Sequence, residues 1–300
     1  FAMVDNEPSY LMAVTELEDS DDLLALHANT IFESDRKDYP CCEVSGSDYV
    51  LSDLASEDTL PHNVDFVWHG VNEKANLRQF LGSDVLWGEI DVRPNPDSGT
   101  MVLHHDSLNS HPETEQTLDL EFAVREFTRF DKSFKLDFKE GRATIDRALD
   151  ILANEGVDGS KLWFTGTVED VEKEGFRKLR QAYPSAIVQS TITFLAERIV
   201  SDPDGAREIL EEHQKWGCNR YSLDWDVPQL KLIIDRLASW GFEVDVYGVP
   251  DLDTFLSTVL LAPRSITSDF NFPQWHYSGR GAGKGGEYIS YTAQSTASDD

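Results

Sequence analysis

The sequence predicts an α/β fold, a (β/α)8 TIM barrel carrying an N-terminal extension, and three observations support this. From Val64 onward, eight short runs rich in β-branched and aromatic residues recur, each bounded by polar, Gly or Pro breakers. Seven longer amphipathic segments lie between them. The alternation occupies residues 64–270, near the lower end of the range for a closed eight-stranded barrel. Strands that alternate with helices call for a parallel sheet with crossover connections. An open doubly wound sheet is the competing arrangement, but eight is the strand number that closes a barrel.

Taken in order, residues 1–62 read as an extension. Leu11, Met12, Val14, Leu17 and then Leu23, Leu24 and Leu26 allow short helices, broken by acidic stretches such as Glu18-Asp19-Ser20-Asp21-Asp22. The barrel occupies 63–277. Its strand candidates are VDFVWHG (64–70), VLWGEIDV (85–92), SFKLDFK (133–139), KLWFTGT (161–167), AIVQSTI (186–192), RYSLDW (220–225), EVDVYGV (243–249) and SITSDF (265–270). Helical patterns cover 75–81, 118–130, 143–155, 168–182, 194–216, 228–240 and 252–261. In the sixth, Leu230, Ile233, Ile234 and Leu237 recur at i, i+3, i+4 and i+7, one apolar helix face. Residues 278–300 form a Gly-rich polar tail. Its SGRGAGKGG run is no phosphate-binding P-loop, since Gly rather than Ser or Thr follows Lys284. Arg280 and Lys284 are nonetheless a rare basic pair in an acidic chain.

The 300 residues carry 55 Asp+Glu against 26 Lys+Arg, a net charge of −29. Such a chain could hardly assemble the basic face that nucleic-acid backbones require, so no nucleic-acid partner is expected. At 40% hydrophobic it buries a proper core and is not a disordered chain. Three cysteines, with Cys41 and Cys42 adjacent and Cys218 distant, make neither a disulfide framework nor a zinc site. No apolar run reaches the roughly 18 residues of a transmembrane segment. Phe1-Ala2-Met3 lacks the basic and apolar stretches of a secretion leader, and the compartment stays open between secreted and cytoplasmic.

The chemistry gathers where barrel active sites form, at the C-terminal ends of strands. His69 closes the first strand. Glu89 and Asp91 close the second, two apart and therefore on one face. Asp137 and Lys139 close the third in the same way, and TMVLHHD beside the second strand adds His104, His105 and Asp106. Singly, a strand-end Glu-x-Asp is an ordinary loop start and His69 an ordinary core histidine; recurrence on three successive strands argues otherwise. Three convergent carboxylates call for a cation, and all-oxygen ligands favour one divalent ion, Mg²⁺ or Ca²⁺, over zinc. Histidines beside such an ion offer an acid and a base, a set suited to displacement at phosphorus.

These residues resemble the glycerophosphodiester phosphodiesterase superfamily of phospholipase C-like barrels. The matching series is His69-Gly70 within WHG, Glu89-Ile90-Asp91, His105-Asp106 within VLHHD, and Asp137-Phe138-Lys139. VDVYGV and SITSDF are similar to that family's last two strands. The usual His-Arg-Gly is His69-Gly70 here, the Pro-Glu-Asn segment after it is missing, and the family's seventh-strand Trp is Tyr247. WHGVN and KLDFK are closest to motifs of the menorin family. HGVN, EIDV and DFKEG are also similar to sphingomyelinase D, whose disulfide loop has no counterpart, because residues 92–132 hold no cysteine. The resemblance implies Glu89, Asp91 and Asp137 as metal ligands, His69 and His105 as the acid/base pair, Lys139 on the phosphate and Tyr247 in the head-group pocket. His104 stays an alternative to His105, since successive strand residues face opposite ways.

The reading is a metal-dependent phosphodiester hydrolase acting on a small-molecule or lipid phosphodiester, by water attack or through a cyclic phosphate. The alternative is a menorin-like barrel that binds a ligand or protein partner without turnover. A Schiff-base lyase fits poorly, because Asp137 keeps Lys139 charged. The −29 charge disfavours an anionic bilayer as the substrate surface.

Overall fold

The structure, a computed structural model, describes residues 64–82, 85–108, 117–250 and 252–268. The expected extension over 1–62, the tail over 278–300, Cys41 and Cys42 lie outside the described residues. Among those described, eight parallel strands close into a barrel: β1 (Asp65–Trp68), β2 (Trp87–Pro94), β5 (Ser133–Phe138), β6 (Leu162–Thr165), β7 (Ile187–Thr191), β8 (Arg220–Asp224), β9 (Glu243–Val249) and β10 (Ser265–Ser268). Closure comes from β1, which pairs with β10 through Phe66↔Ile266 on one side and with β2 through Val67↔Trp87 on the other. All eight expected strands are present and share the expected chain order.

Two short strands, β3 (Met101–Leu103) and β4 (Leu118–Asp119), are additions to the expected plan. β3 folds back antiparallel on the end of β2, with Val92↔Leu103 and Arg93↔Val102, and β4 pairs with β3. The helical pattern expected over 118–130 therefore starts later. Asp119 ends β4 and caps α2 (Leu120–Arg129) by accepting from the Glu121 and Phe122 amides. The other helices are α1 (Lys74–Gly82), α3 (Arg142–Asn154), α4 (Val168–Ala182), α5 (Ala196–Ser201), α6 (Pro203–Trp216), α7 (Leu230–Ser239) and α8 (Leu252–Val259). The single helical segment expected over 194–216 is two helices. Asp202 leaves the helical conformation between them and caps α6 by accepting from the Gly205 amide, with Pro203 in the first helical turn.

The main hydrophobic core lies between sheet and helices. Ile90, Leu136, Phe138, Phe164, Leu223 and Val246 point outward from the strands into one cluster with Phe80, Phe127, Leu152, Phe176, Leu210, Ile233 and Phe255 from the helical layer. The rings of Phe80, Phe127 and Phe134 run in series, 5.0 and 4.9 Å apart. They crowd Gly88: a Cβ there would sit 2.7 Å from the Phe80 ring and 2.8 Å from Phe127. This strand position has room for glycine alone, and so β2 lies close against α1 and α2.

Inside the barrel the picture differs. The apolar lumen is a small cluster of Val67, Trp87 and Trp163 with Ile187 packed on it. Above and around it the side chains are polar. Lys135 Nζ contacts Asp245 Oδ2 at 2.9 Å and Thr267 Oγ1 at 2.6 Å, while Gln189 donates to Thr165 at 3.0 Å. Arg220 reaches Glu243 at 2.9 Å and Asp65 at 3.5 Å. Lys135 and Arg220 both lie over the Trp163 ring, 4.6 and 4.4 Å from its centre. Around the small apolar cluster the barrel interior is thus largely paired charge, one layer below the mouth.

Candidate active site

Register sets the site. On β2 and β5, Glu89 is level with Lys135 and Asp91 with Asp137, so the pleat aims Glu89, Asp91 and Asp137 inward near the C-terminal rim. Glu89 and Asp91 are buried, and Asp137 is half-buried. One carboxylate oxygen from each of the three lies within 4.8 Å of the others. At that spacing each like-charged pair repels by roughly 3 kcal/mol at an effective dielectric of about 20. Lys139 offsets part of this: its Nζ lies 2.9 Å from Asp91 Oδ1 and also bonds Asp137. One ammonium against three carboxylates leaves a residual negative charge in a partly desolvated position. The donor set, all oxygen and of this spacing, fits a hard divalent ion.

The turn after β1 holds the acidic groups in place. Gly70 takes a positive φ of 71°, and its amide donates to Glu89 Oε2 at 2.8 Å while the Val71 amide donates to the Glu89 carbonyl at 2.7 Å. His69 Nε2 lies 3.6 Å from the same Glu89 Oε2. Two residues on, Asn72 grips Asp91 twice: its Nδ2 donates to Oδ2 at 2.5 Å, and its Oδ1 accepts from the Asp91 amide at 2.8 Å. Asn72 is buried. These contacts, with the carboxylate oxygens within 4.8 Å of one another, bring His69, Glu89, Asp91, Asp137 and Lys139 into one constellation.

The remaining histidine stands on the segment leaving β3. The His104 amide donates to the Asp91 carbonyl at 3.0 Å, which fastens this segment to β2. The His104 ring is buried, with Nδ1 2.8 Å from the Asp106 carbonyl. The His105 side chain is 37% exposed, and its Nδ1 lies 2.8 Å from Asp106 Oδ1. The Asp106 carboxylate thus engages the His105 ring through Nδ1. Arg93 supports both neighbouring segments, donating from Nε to the His105 carbonyl and from Nη1 to Glu140, each at 2.9 Å.

Tyr247 lies across the ring on β9, four strands from β5. Its hydroxyl is 3.1 Å from Thr193 Oγ1, which also accepts from the Asp224 amide at 3.1 Å. Trp225, more than a third exposed, follows Asp224 and donates its amide to the Tyr247 carbonyl. Asn72, Arg93, Asp224 and Trp225 were not singled out from the sequence. The first sits in the HGVN motif, and the last two at a strand end, where the signal that found Glu89 and Asp137 also applied.

Beneath the site, Asp245 is fully buried in the Lys135 network. Burial alone would push its carboxyl up, yet Lys135, Ser265 and Arg220 together hold it below the ordinary range. The layer under the rim is therefore a fixed, internally neutralised platform.

No protein-family model matches this chain, and no curated protein is similar to it in sequence. Similarity appears among solved structures. One assigned as a glycerophosphoryl diester phosphodiesterase of Agrobacterium tumefaciens superposes with a TM-score of 0.57 at 12% identity, over 70% of this chain and 94% of its own. An Oleispira antarctica phosphodiesterase, in complex with its product sn-glycerol-3-phosphate, gives 0.53 at 17% identity over 72% and 95%. A glycerophosphodiester phosphodiesterase of Parabacteroides distasonis gives 0.52 at 11% identity over 71% and 94%. At these identities the likeness is one of fold: this chain is a TIM barrel similar in shape to those phosphodiesterases.

Proposed function

We propose that this barrel is a metal-dependent phosphodiesterase. The observation that carries the reading is the constellation at the mouth: three carboxylates spaced for one cation, with Lys139 and His69 in contact with them. Glu89, Asp91 and Asp137 would hold one divalent ion, Mg²⁺ or Ca²⁺. When bound, that ion supplies a Lewis acid for the non-bridging oxygens of a phosphodiester. Lys139, already at the carboxylate rim, adds a positive charge where negative charge develops on phosphorus.

The chain's own residues then account for the proton movements. The attacking oxygen, from water or from a neighbouring hydroxyl of the substrate, forms its bond to phosphorus and gives its proton to one histidine. The bond to the leaving oxygen breaks as that oxygen takes a proton from the other histidine. His69 and His105 fill these two roles, His69 through Nε2 beside Glu89 and His105 through Nε2 opposite its Asp106 bond. Attack by a substrate hydroxyl yields a cyclic phosphate; attack by water yields a monoester directly. Tyr247 is assigned to the alcohol arm of the diester on the far wall. The substrate is a small-molecule or lipid phosphodiester.

Hydrolysis of bis-(p-nitrophenyl) phosphate by the purified chain tests the reading, with EDTA and then with added Mg²⁺ or Ca²⁺. Turnover that the metal restores, and that Glu89→Ala, His69→Ala and His105→Ala each abolish, is the expected result. Turnover unchanged in both histidine variants sinks the mechanism. Binding of divalent ion without any turnover, on this diester or on glycerophosphodiesters, shifts the assignment to a ligand-binding barrel.

A further inference from the structure

We infer that Arg93 is a positioning residue that couples the His105 segment to the Lys139 strand end, an inference that rests on the phosphodiesterase reading. Arg93 lies two residues beyond Asp91 on β2, on the same face of the pleat as Glu89 and Asp91. Its neighbours on either side belong to different parts of the chain. One is the segment that leaves β3 and carries His105; the other is the end of β5, where Glu140 directly follows Lys139. The guanidinium spans them, Nε on the His105 carbonyl and Nη1 on the Glu140 carboxylate, both at 2.9 Å. Its side chain is 15% exposed.

What makes this more than an ion pair is that one group bonds two segments at once. A guanidinium is a rigid planar fork, so fixing one N–H direction fixes the others. The two acceptors therefore constrain each other's position through Arg93. Each supported segment is also tied to β2 by one backbone bond, the His104 amide donating to the Asp91 carbonyl at 3.0 Å. Lys139 holds its backbone to β2 by a long amide bond of 3.4 Å to the Val92 carbonyl. The His105 ring, more than a third exposed, bonds Asp106 within its own segment. Fixing the His105 carbonyl leaves its ring only rotation about the side-chain bonds, and the Asp106 contact then selects one rotamer. In the reaction, His105 delivers or accepts a proton on one side of phosphorus while Lys139 meets the phosphoryl oxygens. Arg93 sets the distance between those two jobs. Both of these bonds are to protein groups, so Arg93 acts through the residues it holds.

The test uses the full chain and two readouts. Arg93→Met is expected to lower kcat on the diester by about 10- to 100-fold, the size of loss that accompanies ångström-scale misplacement, with KM within about twofold. Added guanidinium ion restores part of that loss. In hydrogen–deuterium exchange, peptides spanning 104–108 and 139–141 both exchange faster. Unchanged kcat, or a loss that guanidinium leaves untouched while both peptides keep their wild-type exchange, overturns the inference. If the wild-type chain turns over no phosphodiester, the phosphodiesterase reading fails, and exchange alone decides the clamp: faster at both segments supports it, unchanged overturns it. If Arg93→Met does not fold, Glu140→Gln cuts one arm only. It is expected to speed exchange at 139–141 and leave 104–108 as in wild type; unchanged exchange at 139–141 overturns the inference.

Discussion

Asn72 shows how much of the site depends on a residue with no charge and no reactive group. It spends both ends of its amide on Asp91, one on the carboxylate and one on the backbone amide. Asp91 is thereby held in a single rotamer, and the oxygen turned toward Lys139 is defined by where the other oxygen is pinned. Partners that orient a metal-binding carboxylate are worth about 10- to 100-fold in metal affinity. Asn72→Ala is therefore expected to raise the Kd for Mg²⁺ or Ca²⁺ by that factor in calorimetric titration. An unaltered Kd would remove Asn72 from the site. Asn72→Asp is predicted to be worse for folding than for ion binding, because it sets a second buried carboxylate against Asp91. The strand-end acids were legible in the sequence because period-2 spacing marks shared faces, a signal that left His104 and His105 undivided. Asn72 was not, because nothing in a neutral side chain two residues past a turn glycine announces which carboxylate it will grip.

At the scale of elements, all eight strands were legible from their apolar, β-branched runs, since each is covered on its outer side by a helix. The misjudged boundaries have local causes. Residues 118–130 look helical throughout, but Leu118 and Asp119 pair with β3, and Asp119 serves as cap rather than first turn. Residues 194–216 carry a continuous amphipathic pattern that Asp202 and Pro203 interrupt. What periodicity could not show is the close approach of β2 to α1 and α2. Gly88 sits between Trp87 and Glu89 in an unremarkable strand, yet the rings of Phe80 and Phe127 fill the space a methyl group would need. Gly88→Ala is expected to cost about 1–3 kcal/mol, the usual penalty for overpacking a core, and to lower Tm measurably. Because Glu89 is the next residue, the same variant should also weaken divalent-ion binding; a lowered Tm with unchanged ion affinity would show that the strain relaxes into the helices alone.

For the molecule as a whole, the polar lumen was the least legible feature. Lys135 and Asp245 are 110 residues apart in sequence, and polar residues alternating along a strand read equally well as a solvated face. Their burial makes stability depend on pH. Asp245 is held below its ordinary range, so its contribution is complete above about pH 4, the unfolded value, and is lost as pH falls through the lower folded value. His213 acts in the same direction at higher pH. Burial lowers its pKa, with Glu212 opposing, and its ring stacks on Trp216 with centroids 4.4 Å apart. The unfolded chain then binds the proton more readily, and stability declines as pH drops below about 6.5 toward the folded value. Chemical denaturation across pH is expected to show both losses, one starting below about pH 6.5 and a steeper one below about pH 4. His213→Gln should remove the first and leave the second; a profile that keeps the first decline in that variant would assign it to other groups.

The paired charges of the lumen also bear on temperature. Apolar surface exposed on unfolding raises heat capacity, whereas polar surface lowers it. A barrel whose centre holds Lys135, Gln189, Arg220 and Asp245 around so small an apolar cluster releases a mixed surface when it opens, and the two contributions partly cancel. Its curve of stability against temperature should accordingly be slightly flatter than that of the same barrel with an apolar lumen, the main apolar core outside the strands still setting most of the curvature.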